Sequence, residues 1–165
     1  MKLKNGDWPT FGWTTDMRPA MVRARGHGHD IVLGTLTDVE GPSPRPVGTQ
    51  MVLRRETATG YFSGGCLEAD VANHALTVLR DGEPRRLIYG RNSPWIDIRL
   101  LCGGRLEILL ERIAPDDPTV AMLQDLAEER RPAFWKSDGL SRTVTQEECR
   151  QNPIIMWCGT IPHGV

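Results

Sequence analysis

The chain has 165 residues, of which 39 % are hydrophobic and 25 % are charged, and its formal net charge is −1 at pH 7. A chain of this length buries enough apolar surface for one stable core, while a near-neutral charge excludes nucleic-acid binding through a bulk positive field. No apolar run is long enough to span a membrane, and residues 1–15 are polar and lack the apolar core of a signal peptide. We therefore expect a cytoplasmic protein whose four cysteines are reduced thiols: Cys66, Cys102, Cys149 and Cys158.

The hydrophobic pattern predicts helices and strands in alternation after a polar N-terminal arm. In chain order they are a helix at 17–25, strands at 31–39 and 50–54, a return strand beginning at Tyr61, a helix at 67–79, strands at 85–89 and 105–113, a helix at 118–130, and paired strands at 133–135 and 142–145. Strict alternation at 105–113 is typical of a strand exposed on one face. This order predicts an α/β fold, with α+β as the alternative, in which a mixed sheet of about five strands carries two to three helices.

Residues 60–71 combine a predicted strand, a small-residue turn and a helix. Gly64 and Gly65 permit a left-handed backbone or a close approach to a ligand. Cys66 follows them at the expected start of the helix, where the positive end of the helix dipole favours a thiolate. The alternative interpretation is a tight turn followed by a small buried thiol, which is the usual state of a free cysteine.

Two other loops have a similar character. Residues 41–48 contain three prolines and two glycines, and they form a rigid loop that presents Ser43 and Arg45. Cys102 is followed by Gly103 and Gly104, again next to a predicted strand. If these strands are neighbours, glycine amides, the Arg45 guanidinium and two thiols line one concave site for an anion and a soft metal or sulfur-bearing ligand. This hypothesis requires Cys66 and Cys102 to lie close together.

Other signatures are absent or weak in the sequence. Residues 26–29, Gly-His-Gly-His, precede a strand instead of following one, so they favour a helix-terminating turn over a nucleotide-binding fingerprint. The chain contains no P-loop, no Gly-x-Ser-x-Gly and no His-Glu-x-x-His. An enzyme that uses Cys66 as nucleophile needs a general base, and His74, in the middle of a predicted helix, is better explained as a partly buried helix residue.

The ordered motifs in the middle of the chain resemble those of the XdhC/CoxI family of accessory proteins. They are Gly-Pro-Ser-Pro-Arg-Pro-Val-Gly at 41–48 with Met51, Ser-Gly-Gly-Cys-Leu-Glu at 63–68, Tyr89-Gly90, and Cys-Gly-Gly at 102–104 followed by an alternating strand that ends at Glu111. The similarity spans residues 31–111. Four ordered motifs make the resemblance far more specific than any one of them.

The resemblance implies a maturation factor that binds the molybdenum cofactor and delivers it to a molybdenum hydroxylase such as xanthine dehydrogenase. It also implies a cysteine desulfurase as a further partner, because sulfuration of the cofactor is linked to the same handover in this family. Carried over by position, the site residues are Ser43, Arg45, Ser63, Gly64, Gly65, Cys66, Cys102, Gly103 and Gly104. Among them, Cys66 and Cys102 are the expected thiol ligands of the molybdenum.

The resemblance divides the chain into an arm at 1–14, an XdhC/CoxI-like domain at 15–131 and an extension at 132–165, without the Rossmann domain of many members. A bulky Leu101 stands before Cys102, where small residues are commoner in the family, and weaker cofactor binding is the expected consequence. Three hypotheses follow: a cofactor-binding chaperone without turnover, an enzyme that uses Cys66, and an interaction module that docks the hydroxylase without touching cofactor. The aromatic side chains of the arm are a candidate docking or homodimer surface.

Overall fold

The computed structural model describes residues 16–91, 93, 100 and 103–146, together with the backbone of 157–158. The elements in this part of the chain are α1 (Arg18–Gly26), β1 (Ile31–Glu40), β2 (Gln50–Leu53), β3 (Ala58–Thr59), α2 (Glu68–Asp81), β4 (Arg85–Gly90), β5 (Arg105–Ile113), α3 (Pro118–Glu128), β6 (Phe134–Ser137), β7 (Arg142–Thr145) and β8 (Trp157–Cys158). None of these helices is long and apolar enough to cross a membrane. The N-terminal arm at 1–14 lies outside the described residues.

Five strands form the larger sheet in the order β3-β2-β1-β5-β4, and β7-β6-β8 form a smaller one. The predicted α/β fold, with about five strands and two to three helices, is confirmed. Every pairing in the larger sheet is antiparallel, however, so the expectation of a mixed sheet was wrong in that detail. The reason is that α2 connects β3 to β4, which lie at opposite edges of the sheet, so the strand-helix-strand order does not produce neighbouring parallel strands.

Both faces of the sheet are covered. Helix α2 packs on one face through a core that includes Phe62, Val71 and Tyr89, each 0 % exposed. The other face carries α1, α3 and the strand β6, whose Trp135 is 1 % exposed. The expectation that β5 exposes one face was therefore wrong, because the strand is covered on the side of Glu111 as well.

Several loops leave the larger sheet at the same end of its strands, which we call the site end. Antiparallel pairing brings the end of β1 to the start of β5, with Glu40 opposite Arg105, and the end of β4 to the same place, with Gly90 opposite Arg105. The start of β2 and the end of β3 face the same way. The loops at 41–49, 60–67 and 103–104 therefore all leave the sheet at the site end.

The strand expected to begin at Tyr61 is absent from that position. The return strand of the hairpin is the two-residue β3, and Gly60 ends it with a φ of +92°. A Cβ at Gly60 would lie 2.7 Å from the carbonyl oxygen of Gln50, so only glycine fits this turn. The turn directs Phe62 into the core and Tyr61 toward the neighbouring loop.

The hydrogen bonds of the Asp117 carboxylate predict that the stability of the fold depends on pH. Its carboxylate caps α3 by accepting the N–H of Thr119 at 2.9 Å, and it also accepts a hydrogen bond from Arg142. Burial alone would raise the pKa of Asp117, but the hydrogen bonds from Thr119 and Arg142 hold it below its ordinary value of 3.8. A depressed carboxyl pKa stabilises the fold above the unfolded value, and this contribution disappears as the pH falls through the folded value. Carboxyl groups titrate roughly between pH 5 and 3. When the pH is lowered across this range, we expect the free energy of unfolding, measured by urea denaturation, to fall more in the wild type than in Asp117→Asn. Parallel losses in the two proteins would contradict the prediction.

Candidate functional site

The loop at 63–67 is folded around the side chain of Glu68, the first residue of α2. Glu68 is 1 % exposed, and both of its carboxylate oxygens accept several hydrogen bonds. Oε1 accepts from the N–H groups of Phe62 (2.9 Å), Ser63 (2.7 Å) and Gly64 (3.2 Å), and Oε2 accepts from the Ser63 hydroxyl (2.7 Å) and from the N–H groups of Gly65 (2.8 Å) and Leu67 (3.2 Å). Charge-assisted hydrogen bonds of this kind are the strong ones, so one carboxylate fixes the whole loop.

These hydrogen bonds also decide the charge state of Glu68. Burial alone would raise its pKa, but the hydrogen bonds from Ser63 and Phe62 hold the pKa below its ordinary value of 4.5. Glu68 is therefore an anion at neutral pH. The expectation that glycine amides of this loop receive an external anion is corrected for Gly64 and Gly65, because both amides already donate to Glu68.

Cys66 lies at the exposed tip of the same loop. Its side chain is solvent-exposed and forms no disulfide, which contradicts the interpretation of a small buried thiol. Cys66 precedes α2 by two residues instead of beginning it. Gly64 and Gly65 have φ angles of +82° and +130°, and a Cβ built on either one would meet nothing within 4 Å. Glycine is needed here for the backbone conformation that exposes the thiol.

The loop at 41–48 brings Arg45 against Tyr61, which lies two residues before the loop at 63–67. The Arg45 side chain is 9 % exposed, and its Cζ lies 4.9 Å from the centre of the Tyr61 ring, a cation–π distance. Ser43 supports the turn, since its hydroxyl donates to the Arg45 carbonyl at 2.7 Å and accepts the Arg45 N–H at 3.3 Å. The predicted Ser43–Arg45 loop thus contacts the chain just before the predicted Ser63–Cys66 loop.

Within the described residues, Arg45 differs from other arginines at the site end because it has no acidic partner. Arg105 pairs with Asp38 at 2.7 Å, and Arg91 lies 3.7 Å from Glu40. Within the described residues, no carboxylate pairs with Arg45, and its Nε is buried without a hydrogen-bond acceptor. A buried polar nitrogen without an acceptor is costly, so Arg45 is a candidate to bind an anionic group.

The third loop reaches the site end through close backbone contacts. A Cβ at Gly41 would lie 3.5 Å from the Cα of Gly104, and one at Gly90 would lie 2.0 Å from the Gly104 carbonyl oxygen. Gly103 is exposed, with a φ of +69° and open space around it. Cys102 lies outside the described residues, so its proximity to Cys66 remains a prediction. Gly103 and Gly104 themselves lie at the same end of the sheet as the 41–48 loop.

Sequence reasoning missed the site roles of Tyr61 and Glu68. In the sequence, Glu68 stands out only as the last residue of the Ser-Gly-Gly-Cys-Leu-Glu motif at 63–68. A stronger signal was available, because a glutamate three residues after a turn residue often reaches back to that residue's N–H, as in a capping box, and Glu68 does so to Gly65. Tyr61 carried no comparable local signal, since its partner Arg45 is 16 positions away and only the fold joins them.

Among the described histidines, His74 lies closest in sequence to Cys66, and it lies near a carboxylate. His74 Nε2 lies 3.6 Å from Asp70, which also accepts the hydroxyl of Tyr89 at 2.6 Å. Burial and the hydrogen bond to Asp70 raise the pKa of Tyr89, so it stays a neutral donor. Across the described parts of the chain, no histidine hydrogen-bonds Cys66, and no three side chains of His, Cys, Asp or Glu converge as a metal site.

The chain is similar to known proteins of one kind. The profile of the XdhC and CoxI family matches residues 24–90. The chain is 40 % identical to the molybdenum cofactor insertion chaperone PaoD of Escherichia coli (strain K12), over 74 % of this chain and 39 % of that protein. It also resembles the crystal structure of a xanthine dehydrogenase from Bacillus halodurans, with a TM-score of 0.66 and 25 % identity, over 79 % of this chain and 42 % of that one. The chain thus spans about two fifths of the length of each relative.

Proposed function

We propose that the chain belongs to the XdhC and CoxI family, whose profile matches residues 24–90, and that it is a chaperone that binds the molybdenum cofactor and assists its insertion into a hydroxylase of the xanthine dehydrogenase type. The E. coli relative carries the name of such an insertion chaperone. One observation of the site supports the proposal most directly: Arg45 is nine-tenths buried beside Tyr61, and its Nε has no acceptor in the part of the chain that the structure describes.

The chemistry of the cofactor suits these residues. Its pterin carries a phosphate, for which the planar arginine guanidinium is a preferred partner, and its metal tolerates thiolate ligands. Arg45 would hold the phosphate, and Ser43 would orient Arg45 through the turn. The exposed Cys66 would face the metal end, with Cys102 as its predicted companion. Gly103 and Gly104 would let the ligand approach the backbone closely.

An accessory role without turnover fits the way in which these groups are placed. The Cys66 thiol is exposed at a loop tip, where a ligand can enter and leave without a large rearrangement. A hydroxylase apoenzyme is the proposed recipient, because it must take up the same cofactor. A cysteine desulfurase partner remains a prediction of the resemblance, and a homodimer remains a prediction from the aromatic N-terminal arm.

Arg45→Ala tests the proposal. We expect retention of the cofactor to fall at least about tenfold, because a charge-assisted hydrogen bond to a buried group is worth roughly 1.5–3 kcal/mol. Each protein is incubated anaerobically with released molybdenum cofactor and passed over a gel-filtration column, and the co-eluting pterin is measured by fluorescence. Arg54→Ala is the matched control, since Arg54 follows β2 at the opposite end of the sheet.

Equal retention by wild type, Arg45→Ala and Arg54→Ala would contradict the proposed site. If the wild type retains no pterin while it still binds a hydroxylase apoenzyme, the interaction-module hypothesis replaces the chaperone. Cys66→Ser separates the two ends of the site, because it should weaken retention of the metal-loaded cofactor and leave retention of the metal-free pterin unchanged.

A further inference from the structure

Glu68 occupies a position that a ligand anion often takes in other proteins. Successive N–H groups in a glycine-rich turn before a helix form a concave anion site. Here the amides of Ser63, Gly64, Gly65 and Leu67 all point at one carboxylate that belongs to the chain itself. The loop is therefore a filled anion site, and its occupant is the first residue of the following helix.

We infer that Glu68 is a positioning residue: its carboxylate acts as an internal anion that holds the 63–67 loop in the conformation that presents Cys66. The inference rests on the proposed function for its consequence, since Cys66 is the proposed contact to the metal end of the cofactor. Glu68 itself is 1 % exposed and is not expected to touch the ligand. With the loop amides taken, the anionic group of the cofactor is left to Arg45.

The loop geometry explains why one carboxylate is sufficient to hold residues 63–67 in a single conformation. The two glycines have open space around them and φ angles that few other residues adopt, so the loop backbone has many accessible conformations when unrestrained. Six hydrogen bonds to the Glu68 carboxylate stabilise one of these loop conformations. The Ser63 hydroxyl extends the arrangement, because it donates to Glu68 and accepts the Leu67 N–H at 3.0 Å.

Glu68→Ala with chemical rescue tests the inference on the full chain without cofactor. The substitution removes a CH2–COO− group, which acetate can replace. We expect amide hydrogen exchange across residues 62–67 to accelerate at least about tenfold, as loss of hydrogen bonds to a charged group predicts, and added acetate to reverse most of it. Chloride at the same ionic strength should not. Glu111→Gln, which alters another carboxylate that is 1 % exposed, should leave exchange at 62–67 unchanged.

Unchanged exchange at 62–67 in Glu68→Ala, or faster exchange that acetate does not slow, would overturn the inference. If Glu68→Ala does not fold, Glu68→Gln tests the inference instead. The glutamine NH2 group faces N–H donors at one of the two positions that the carboxylate oxygens occupy in the wild type. Amide hydrogen exchange must therefore accelerate at 62–67 and not across the rest of the sheet. Because these measurements contain no cofactor, they remain valid if the proposed function fails. Cofactor retention by the same variants, measured as for Arg45→Ala, should fall in Glu68→Ala and return with acetate.

Discussion

Replacing Arg142 by alanine should lower the free energy of unfolding by about 3 kcal/mol or more, the cost of breaking a buried ion pair from one side. For a chain of this size the melting temperature should fall by roughly 6–12 °C. Arg142 lies on β7 and joins that strand to two parts of the domain. Its Nε donates to Glu111 at 3.1 Å, another nitrogen donates to Asp117, and a third donates to the carbonyl of Arg112 at 2.9 Å.

The large loss of stability is expected because Arg142→Ala leaves Glu111 buried without its cationic partner. Glu111 is 1 % exposed, its Oε1 has no hydrogen-bond partner, and without Arg142 its Oε2 keeps only the Ser137 hydroxyl at 2.6 Å. A buried carboxylate with so little compensation is strongly destabilising. The double variant Arg142→Ala/Glu111→Gln should therefore be more stable than Arg142→Ala alone, because glutamine carries no charge.

Arg131→Ala is the matched control for this experiment. Arg131 also pairs with a carboxylate, Glu129, at 3.2 Å, but both side chains are more than half exposed. Exposed pairs contribute roughly 0–1 kcal/mol. Urea denaturation of the four proteins measures the difference. If Arg142→Ala lost no more stability than Arg131→Ala, or if the double variant were the least stable, the buried cluster would not have the role described here.

The sequence predicts the elements of this domain better than their arrangement. The helix after Cys66, the strand at 105–113 and the paired strands near the end were found from hydrophobic spacing and turn residues, which are local signals. The burial of Glu111 could not be predicted from these local signals, because it depends on where β6 and β7 pack. The same distinction applies to the site: the loops were predicted, whereas the stacking of Arg45 on Tyr61 arises only when the sheet brings distant residues together.

Gly90→Ala should be among the most damaging single substitutions at the site end, with a loss of about 3 kcal/mol or more from strain and overpacking combined. Gly90 ends β4 with a φ of +86°, and an added Cβ would lie 2.0 Å from the Gly104 carbonyl oxygen and 3.0 Å from its carbonyl carbon. Both obstacles are backbone atoms, so no side chain can rotate away. The clash must separate the end of β4 from the loop that carries Gly103 and Gly104.

Gly103→Ala isolates the steric part of this effect. Its φ of +69° imposes a comparable backbone strain, but a Cβ there would meet nothing within 4 Å, so a cost of only about 1–2 kcal/mol is expected. If the two variants lost equal stability in urea denaturation, the close approach of Gly90 to Gly104 would be unimportant. We also expect Gly90→Ala to reduce pterin retention more than Gly103→Ala does. The reason is that the close approach of Gly90 to Gly104 holds Gly104 beside Gly41, and so keeps the third loop next to the 41–48 loop.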